Sequence, residues 1–456
     1  MVHFEPWAIV KSGGAHDSNM IDTDEPASAA VRDVSTAPNV TRRAAGFGFT
    51  FDLRSACAVK PSGGKFDVNY LSLHTFKPMN RREFSYITAG AALSRMLPAS
   101  LLAQQQSPLD HPSISEGATA LYQRALVLDC NSGPPFESGK LPLPQNDLDM
   151  VRDSGVNVVK WSLAGINSDF AQAVNEIAYV AQMIEVHPAY FTQVRVSTDL
   201  ERAKREAKMG IILSFESVEM LEGKLDRLDL FRNLGVRVMQ LSYNRKSPFA
   251  AGVMEPNGGG LTALGKEAVK KMNTLGVTID LSHANESTTA DVLATSSKPV
   301  IVSHAGCAAI HSHPRNKTDD QLKKLAEKGG VLGVYDLPYL TASPKQPTVD
   351  DYMAHMEHAL RVAGEDHVGI GSDVGIDPFD TSPKGMAEFN KMEEERQKSG
   401  LAAPEEDRPT YVVGLNMPRK LEVIAEQLLK RGYSTATVEK VLGRNFARVL
   451  TETWMP

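Results

Sequence analysis

From about residue 115 onward, short apolar and β-branched runs alternate with longer stretches whose apolar positions recur at helical spacing. The runs Ala125–Cys130, Asn157–Ser162, Gly210–Glu216, Val236–Tyr243, Val277–His283, Val300–His304, Gly330–Asp336 and His367–Asp373 read as eight strands. They are nearly continuous in hydrophobicity rather than alternating, the pattern of parallel strands covered on both faces. Between them lie helical stretches such as Leu264–Leu275, stopped by Gly276, and Asp319–Lys328, stopped by Gly329-Gly330. Eight such units predict an α/β fold, a (β/α)8 TIM barrel spanning residues 115–456. No GxGxxG follows the first strand, so nothing points to a dinucleotide site.

Residues 1–78 carry no sustained period and are scattered with Gly, Ser, Asp and Pro; they read as disordered or as lying upstream of the true start. Residues 79–106 have another character. Met79-Asn80-Arg81-Arg82-Glu83-Phe84 places twin arginines before a large apolar residue. A mildly apolar stretch, Tyr86 to Ala103, then ends in small residues. This resembles a twin-arginine export signal and implies a periplasmic or secreted protein. Arg95 interrupts the apolar stretch, which is also what an ordinary amphipathic helix would show. The stretch is too short and polar to span a membrane, and the C-terminal Thr451–Pro456 carries no apolar tail for a lipid anchor.

Composition narrows the partners. A net charge of -6 gives no basic face for nucleic acid or an anionic membrane. The 3 cysteines, Cys57, Cys130 and Cys307, exclude a disulfide scaffold and a cysteine-rich zinc module. Free thiols, or one bridge between Cys130 and Cys307, are the remaining choices.

The chemistry concentrates at strand ends. Glu216, His283, His304 and Asp373 each close a predicted strand, and the C-terminal strand ends of a barrel converge on one face. Imidazoles and carboxylates meeting there are suited to a divalent cation such as zinc. A lone strand-end His is more often a hydrogen-bonded core residue; four ligand-type residues in register are harder to assign to packing. His311, His313 and His367 read as structural, the last because it opens its strand at the opposite face.

Residues 115 to 452 resemble the membrane (renal) dipeptidase family, a branch of the metal-dependent amidohydrolase barrels. Val277–Asn285 (VTIDLSHAN) and Val300–Ala305 (VIVSHA) match strands that each end in a metal-binding His. Leu213-Ser214-Phe215-Glu216 matches the strand whose Glu bridges two metals, and His313-Pro314-Arg315-Asn316 the pair whose Arg holds substrate. Gly369-Ile370-Gly371-Ser372-Asp373 corresponds to the strand of a catalytic Asp, and Gly260–Gly265 and Val441–Phe446 match further segments. The resemblance therefore implies metal at Glu216, His283 and His304, proton transfer by Asp373, substrate contacts from Arg315 and Tyr243, and a homodimer.

One part of the pattern is missing. The family's first strand ends in His-x-Asp, which gives one metal two ligands; here Asn131 and Gly133 stand in those places. An amide oxygen is a feeble zinc ligand and Gly offers none, so this metal position is degraded. Cys130 cannot easily replace them, since neighbours on a strand point to opposite sides. Ala250-Ala251-Gly252 replaces the Gly-Asp-Gly of bacterial relatives. The expected function is a zinc-dependent dipeptidase-like hydrolase of a dipeptide or related amide, using one zinc or two. Two alternatives stand beside it: an inactive barrel that binds peptides or a partner, and an amidohydrolase of a lactone, N-acyl amino acid or cyclic amide. Phe379–Pro409 is a charged, helix-prone insertion that the sequence leaves without a role.

Overall fold

The computed structural model describes residues 113–135, 140–165 and 168–454. The segments expected to be disordered (1–78) and to form an export signal (79–106) lie outside the described residues, as does Cys57. In the rest, helices and parallel strands alternate around one sheet. The strands are β1 (Leu128–Asp129), β2 (Val158–Leu163), β3 (Phe191–Gln193), β4 (Met209–Phe215), β5 (Val236–Gln240), β6 (Thr278–Asp280), β7 (Ile301–Ala305), β8 (Val331–Val334) and β9 (Val368–Ile370).

The order is β1-β2-β4-β5-β6-β7-β8-β9, every pair parallel. The ring closes by backbone bonds across the seam: Cys130 N–H donates to Ile370 O at 2.9 Å and Asp373 N–H to Asn131 O at 2.8 Å. The predicted barrel is therefore formed. It contains one strand that hydrophobicity alone did not reveal. β3 pairs with Met209–Ile211 of β4, while β5 joins β4 only from Leu213 onward. Phe191-Thr192-Gln193 is too short and too polar to register as an apolar run.

Expected strand limits were also too generous. β6 stops at Asp280 and β9 at Ile370, so His283 and Asp373 sit three residues beyond their strands, and Glu216 one beyond β4. All three still lie on the C-terminal face. The helices behave as the pattern dictates: Ala263–Leu275 ends at Gly276 in the left-handed region (φ 69°), and Asp319–Glu327 opens with a capping box at Thr318 and Gln321. Both faces of the strands are buried, β4 along its whole length. Cys130 and Cys307 are free and buried, which settles the thiol question against a bridge. Burial pushes the Cys130 thiol well above its ordinary pKa, so it is not a thiolate ligand. Among the described residues, no helix is long and apolar enough to cross a membrane.

Candidate metal centre

At the C-terminal mouth of the barrel, the ligand atoms of Glu216, His283 and His304 all lie within 4.8 Å of one another. The two imidazoles arrive there by the same device. Asp280, the last residue of β6, accepts the Ser282 N–H (3.1 Å), the Ser282 hydroxyl (2.6 Å) and the Ser303 N–H (3.0 Å) on Oδ1. Its Oδ2 takes the Ser303 hydroxyl at 2.5 Å. One buried carboxylate thus pins the chain immediately before each histidine. Asn285 then caps the helix Glu286–Thr295 through Thr288 N–H, fixing where the loop after His283 ends.

These contacts also set the tautomers. The hydroxyl proton of Ser303 is committed to Asp280, so Ser303 Oγ accepts Nδ1–H of His304 at 2.8 Å. Asn244 donates through Nδ2 to Leu401 O, so its Oδ1 accepts Nδ1–H of His283 at 2.8 Å. Both Nε2 atoms therefore carry lone pairs, and they face each other at 3.1 Å. Burial first, then the Arg315 guanidinium, holds both rings well below the usual imidazole pKa, so neither supplies a proton to share. Two facing lone pairs beside a carboxylate form a donor set that fits a divalent cation of the zinc type.

The remaining expected residues converge on the same place. Tyr243 stacks on the His283 ring with centroids 3.9 Å apart. Asp373 Oδ2 lies 3.9 Å from His304 Nε2 and 4.0 Å from Arg315 Nη2. Burial and the Glu216 charge push the Asp373 carboxyl up to about 7, against the pull of Arg315; the 19% of its side chain still open to solvent tempers that shift. Asp373 also occupies the left-handed region (φ 59°), which turns the chain off β9 toward the mouth. Arg315 is buried, not the surface ion-pair residue its type would suggest. Its Nη1 donates to Ser282 O at 3.0 Å, while Nη2 has no hydrogen-bond partner among the described residues.

Asn131, where the resemblance leads one to expect a metal ligand, has definite partners. Its amide nitrogen donates to Glu216 Oε1 at 2.9 Å and to Asp373 Oδ1 at 2.6 Å. Gly133 is explained by its neighbour: a Cβ there would lie 2.9 Å from Trp161 Nε1 and 3.0 Å from Cδ1. The indole fills the space an aspartate would need.

The insertion clamps over this mouth. Its helix, Pro383–Lys398, brings Arg396 into a bidentate pair with Glu406, whose Oε1 also accepts the Tyr339 hydroxyl at 2.6 Å. Pro404 O accepts Nε2–H of His313, and Glu405 pairs with His311 at 2.9 Å. Both histidines, read from sequence as structural, are engaged by the insertion. His367 precedes β9 and bonds Gly330 O at 2.7 Å. Sequence reasoning missed Asn244, Asp280 and Ser303, which orient the ligands; the clue was polar residues within otherwise apolar strand ends.

Comparisons with known proteins agree with this geometry. A model of the family described as Membrane dipeptidase (Peptidase family M19) matches residues 117–394. Dipeptidase tcpJ of Claviceps purpurea is 29% identical over 323 residues, 67% of this chain and 68% of that protein. An uncharacterised dipeptidase of Schizosaccharomyces pombe is 33% identical over 243 residues, 50% of this chain and 57% of its own length. Among solved structures, an amidohydrolase from Pseudomonas aeruginosa superposes with a TM-score of 0.65 at 28% identity, covering 74% of this chain and 99% of that one. With a parallel barrel, a three-residue donor set at its mouth and a family match over more than half its length, the chain belongs to the membrane dipeptidase family.

Proposed function

We propose that this dipeptidase-like hydrolase works with a single zinc ion and cleaves a short peptide or a closely related amide that ends in a free carboxylate. The observation that carries the reading is the pair of facing Nε2 lone pairs beside Glu216, set against an Asn131 amide that already donates to Glu216 and Asp373. The family resemblance would put a second cation on that flank of Glu216; here an amide stands there.

Glu216, His283 and His304 would hold the ion. When bound, zinc supplies Lewis acidity toward the scissile carbonyl and brings water toward a pKa of roughly 7. The chain does the rest. Arg315 Nη2, buried and without a hydrogen bond among the described residues, is the donor for the substrate carboxylate. Asp373, with its carboxyl pushed up toward 7, takes a proton from water and gives it to the leaving amine. Tyr243 and the clamped insertion wall the mouth and limit water. Export is part of this proposal, supported by Arg81-Arg82 and the small-residue end of the 79–106 segment.

Elemental analysis of purified chain loaded with excess zinc, combined with hydrolysis of a dipeptide panel, tests the reading. One zinc per chain with zinc-dependent turnover supports it, and two per chain overturns it. One zinc without turnover of any peptide, N-acyl amino acid or cyclic amide favours a binding protein, the reading that Asn131 also suits. Cleavage of a fused reporter after Ala103, abolished by Arg81→Lys with Arg82→Lys, tests export.

A further inference from the structure

Lys160 lies at the middle of β2, in the run Val158-Val159-Lys160-Trp161-Ser162-Leu163, and is fully buried. An ammonium inside a closed barrel is costly unless its protons are satisfied and its charge is met. Its Nζ donates to Ser162 Oγ at 3.0 Å and Ser214 Oγ at 3.3 Å, and stands 3.6 Å from Asp280 Oδ2. An ammonium only donates, so the Ser162 hydroxyl must accept from it and send its own proton elsewhere. Ser214 Oγ, also 3.1 Å from Ser162 Oγ, accepts from Lys160 too and turns its own hydroxyl proton onto Ser162, which leaves Asn131 Oδ1, 3.1 Å away, as the acceptor of the Ser162 proton. With its oxygen engaged, Asn131 has one way to face the mouth: NH2 first, onto Glu216 Oε1 and Asp373 Oδ1. The flipped amide would set a carbonyl oxygen against two carboxylates.

We propose that Lys160 is a positioning residue which, through Ser162, fixes the Asn131 amide as the double donor standing beside Glu216 in place of a second cation. The inference rests on the single-metal reading above. It accounts for a lysine in an apolar strand that the hydrolytic groups themselves do not use. Asp280 balances the lysine's charge, and the lysine's hydrogen bonds run to the hydroxyls of Ser162 and Ser214.

The test is a double-mutant cycle on the full chain, read as zinc affinity by competition with a chromophoric chelator. Ser162→Ala leaves the Lys160–Asp280 pair intact and is expected to weaken zinc binding about 10-fold, the lower end of what ligand-orienting contacts carry. Lys160→Met is expected to weaken it by at least that factor, because it also leaves Asp280 without its counter-ion. Lys160→Met combined with Ser162→Ala should be no worse than Lys160→Met alone, because both break one relay. Ser162→Thr, which keeps the hydroxyl, should stay within about twofold of the parent. If Lys160→Met does not fold, the Ala and Thr exchanges at Ser162 still decide. Losses that multiply, or unchanged zinc affinity in Ser162→Ala, overturn the inference while the single-metal reading survives. Two zinc ions per parent chain overturn both.

Discussion

Asn131 Nδ2 and Asp373 Oδ1 stand 2.6 Å apart although 242 positions separate them in the chain. The same nitrogen serves Glu216, so one neutral amide holds two carboxylates that would otherwise repel. Replacing it with a third carboxylate should reverse the demand. Asn131→Asp is expected to lower Tm in chelator, and zinc should raise its Tm by more than it raises the parent's, because a second cation now relieves the repulsion. Scanning calorimetry with and without zinc checks this; equal zinc-dependent shifts would count against the amide's role.

Asn244 orients His283 from the far side of the ring, and the Leu401 carbonyl orients Asn244. Asn244→Ala should therefore weaken zinc binding roughly 10- to 100-fold without touching a ligand. His283→Ala should abolish stoichiometric binding. Chelator competition measures both.

Arg315 Nη2 is buried, makes no hydrogen bond among the described residues and stands 4.0 Å from Asp373 Oδ2. Arg315→Met is expected to raise KM about 10-fold or more for a dipeptide with a free carboxylate, from the loss of one charged hydrogen bond. The same substitution should leave the KM of the C-terminally amidated dipeptide nearly unchanged. Steady-state kinetics on the two substrates separates the cases.

His355 is buried, accepts Cys307 N–H on Nδ1 at 2.8 Å and donates Nε2–H to Leu340 O at 2.9 Å. Protonation of Nδ1 would break the first bond, and burial lowers this imidazole from 6.5 to about 4. The unfolded chain takes up a proton near 6.5 while the folded chain does not until about 4. The contribution of His355 is therefore fully present above the unfolded value and is lost as pH falls through that window. Urea titrations should show His355→Asn clearly less stable than the parent at pH 7. The gap should close by on the order of 2 kcal/mol at pH 4.

Gly133 is held free of a side chain by the Trp161 indole. Gly133→Ala should cost about 1–3 kcal/mol of stability through overpacking. Combining it with Trp161→Phe should recover part of that loss, as measured by denaturant unfolding.

The barrel and the Glu216, His283 and His304 set were legible in the sequence because buried parallel strands announce themselves as apolar runs and their ends are countable. β3 was not, since three residues with two polar side chains leave no period. Strand limits ran long at His283 and Asp373 because the apolar run continues past the last ladder bond into a loop held by Asp280 and Asp129. Asn131 was recognised as a lost ligand, but its gain as a donor was invisible: it depends on Ser162 and Lys160 from the next strand. The insertion was seen as charged and helical; that it closes on the mouth is set by Glu406, Arg396 and Pro404, whose partners lie far away in sequence.

The seam between β1 and β9 carries a last consequence. Asn131 and Asp373 lie just past the ends of the first and last strands, and the bond from Asp373 N–H to Asn131 O is part of the barrel's closure. Neither half of the chain alone contains this flank of the centre. The pocket is thus complete only when the ring has shut, and an incompletely folded chain would present two histidines and a glutamate without Asp373 or its tether. Maturation and competence become one event, so that this enzyme would have no reactive state before it has a finished one.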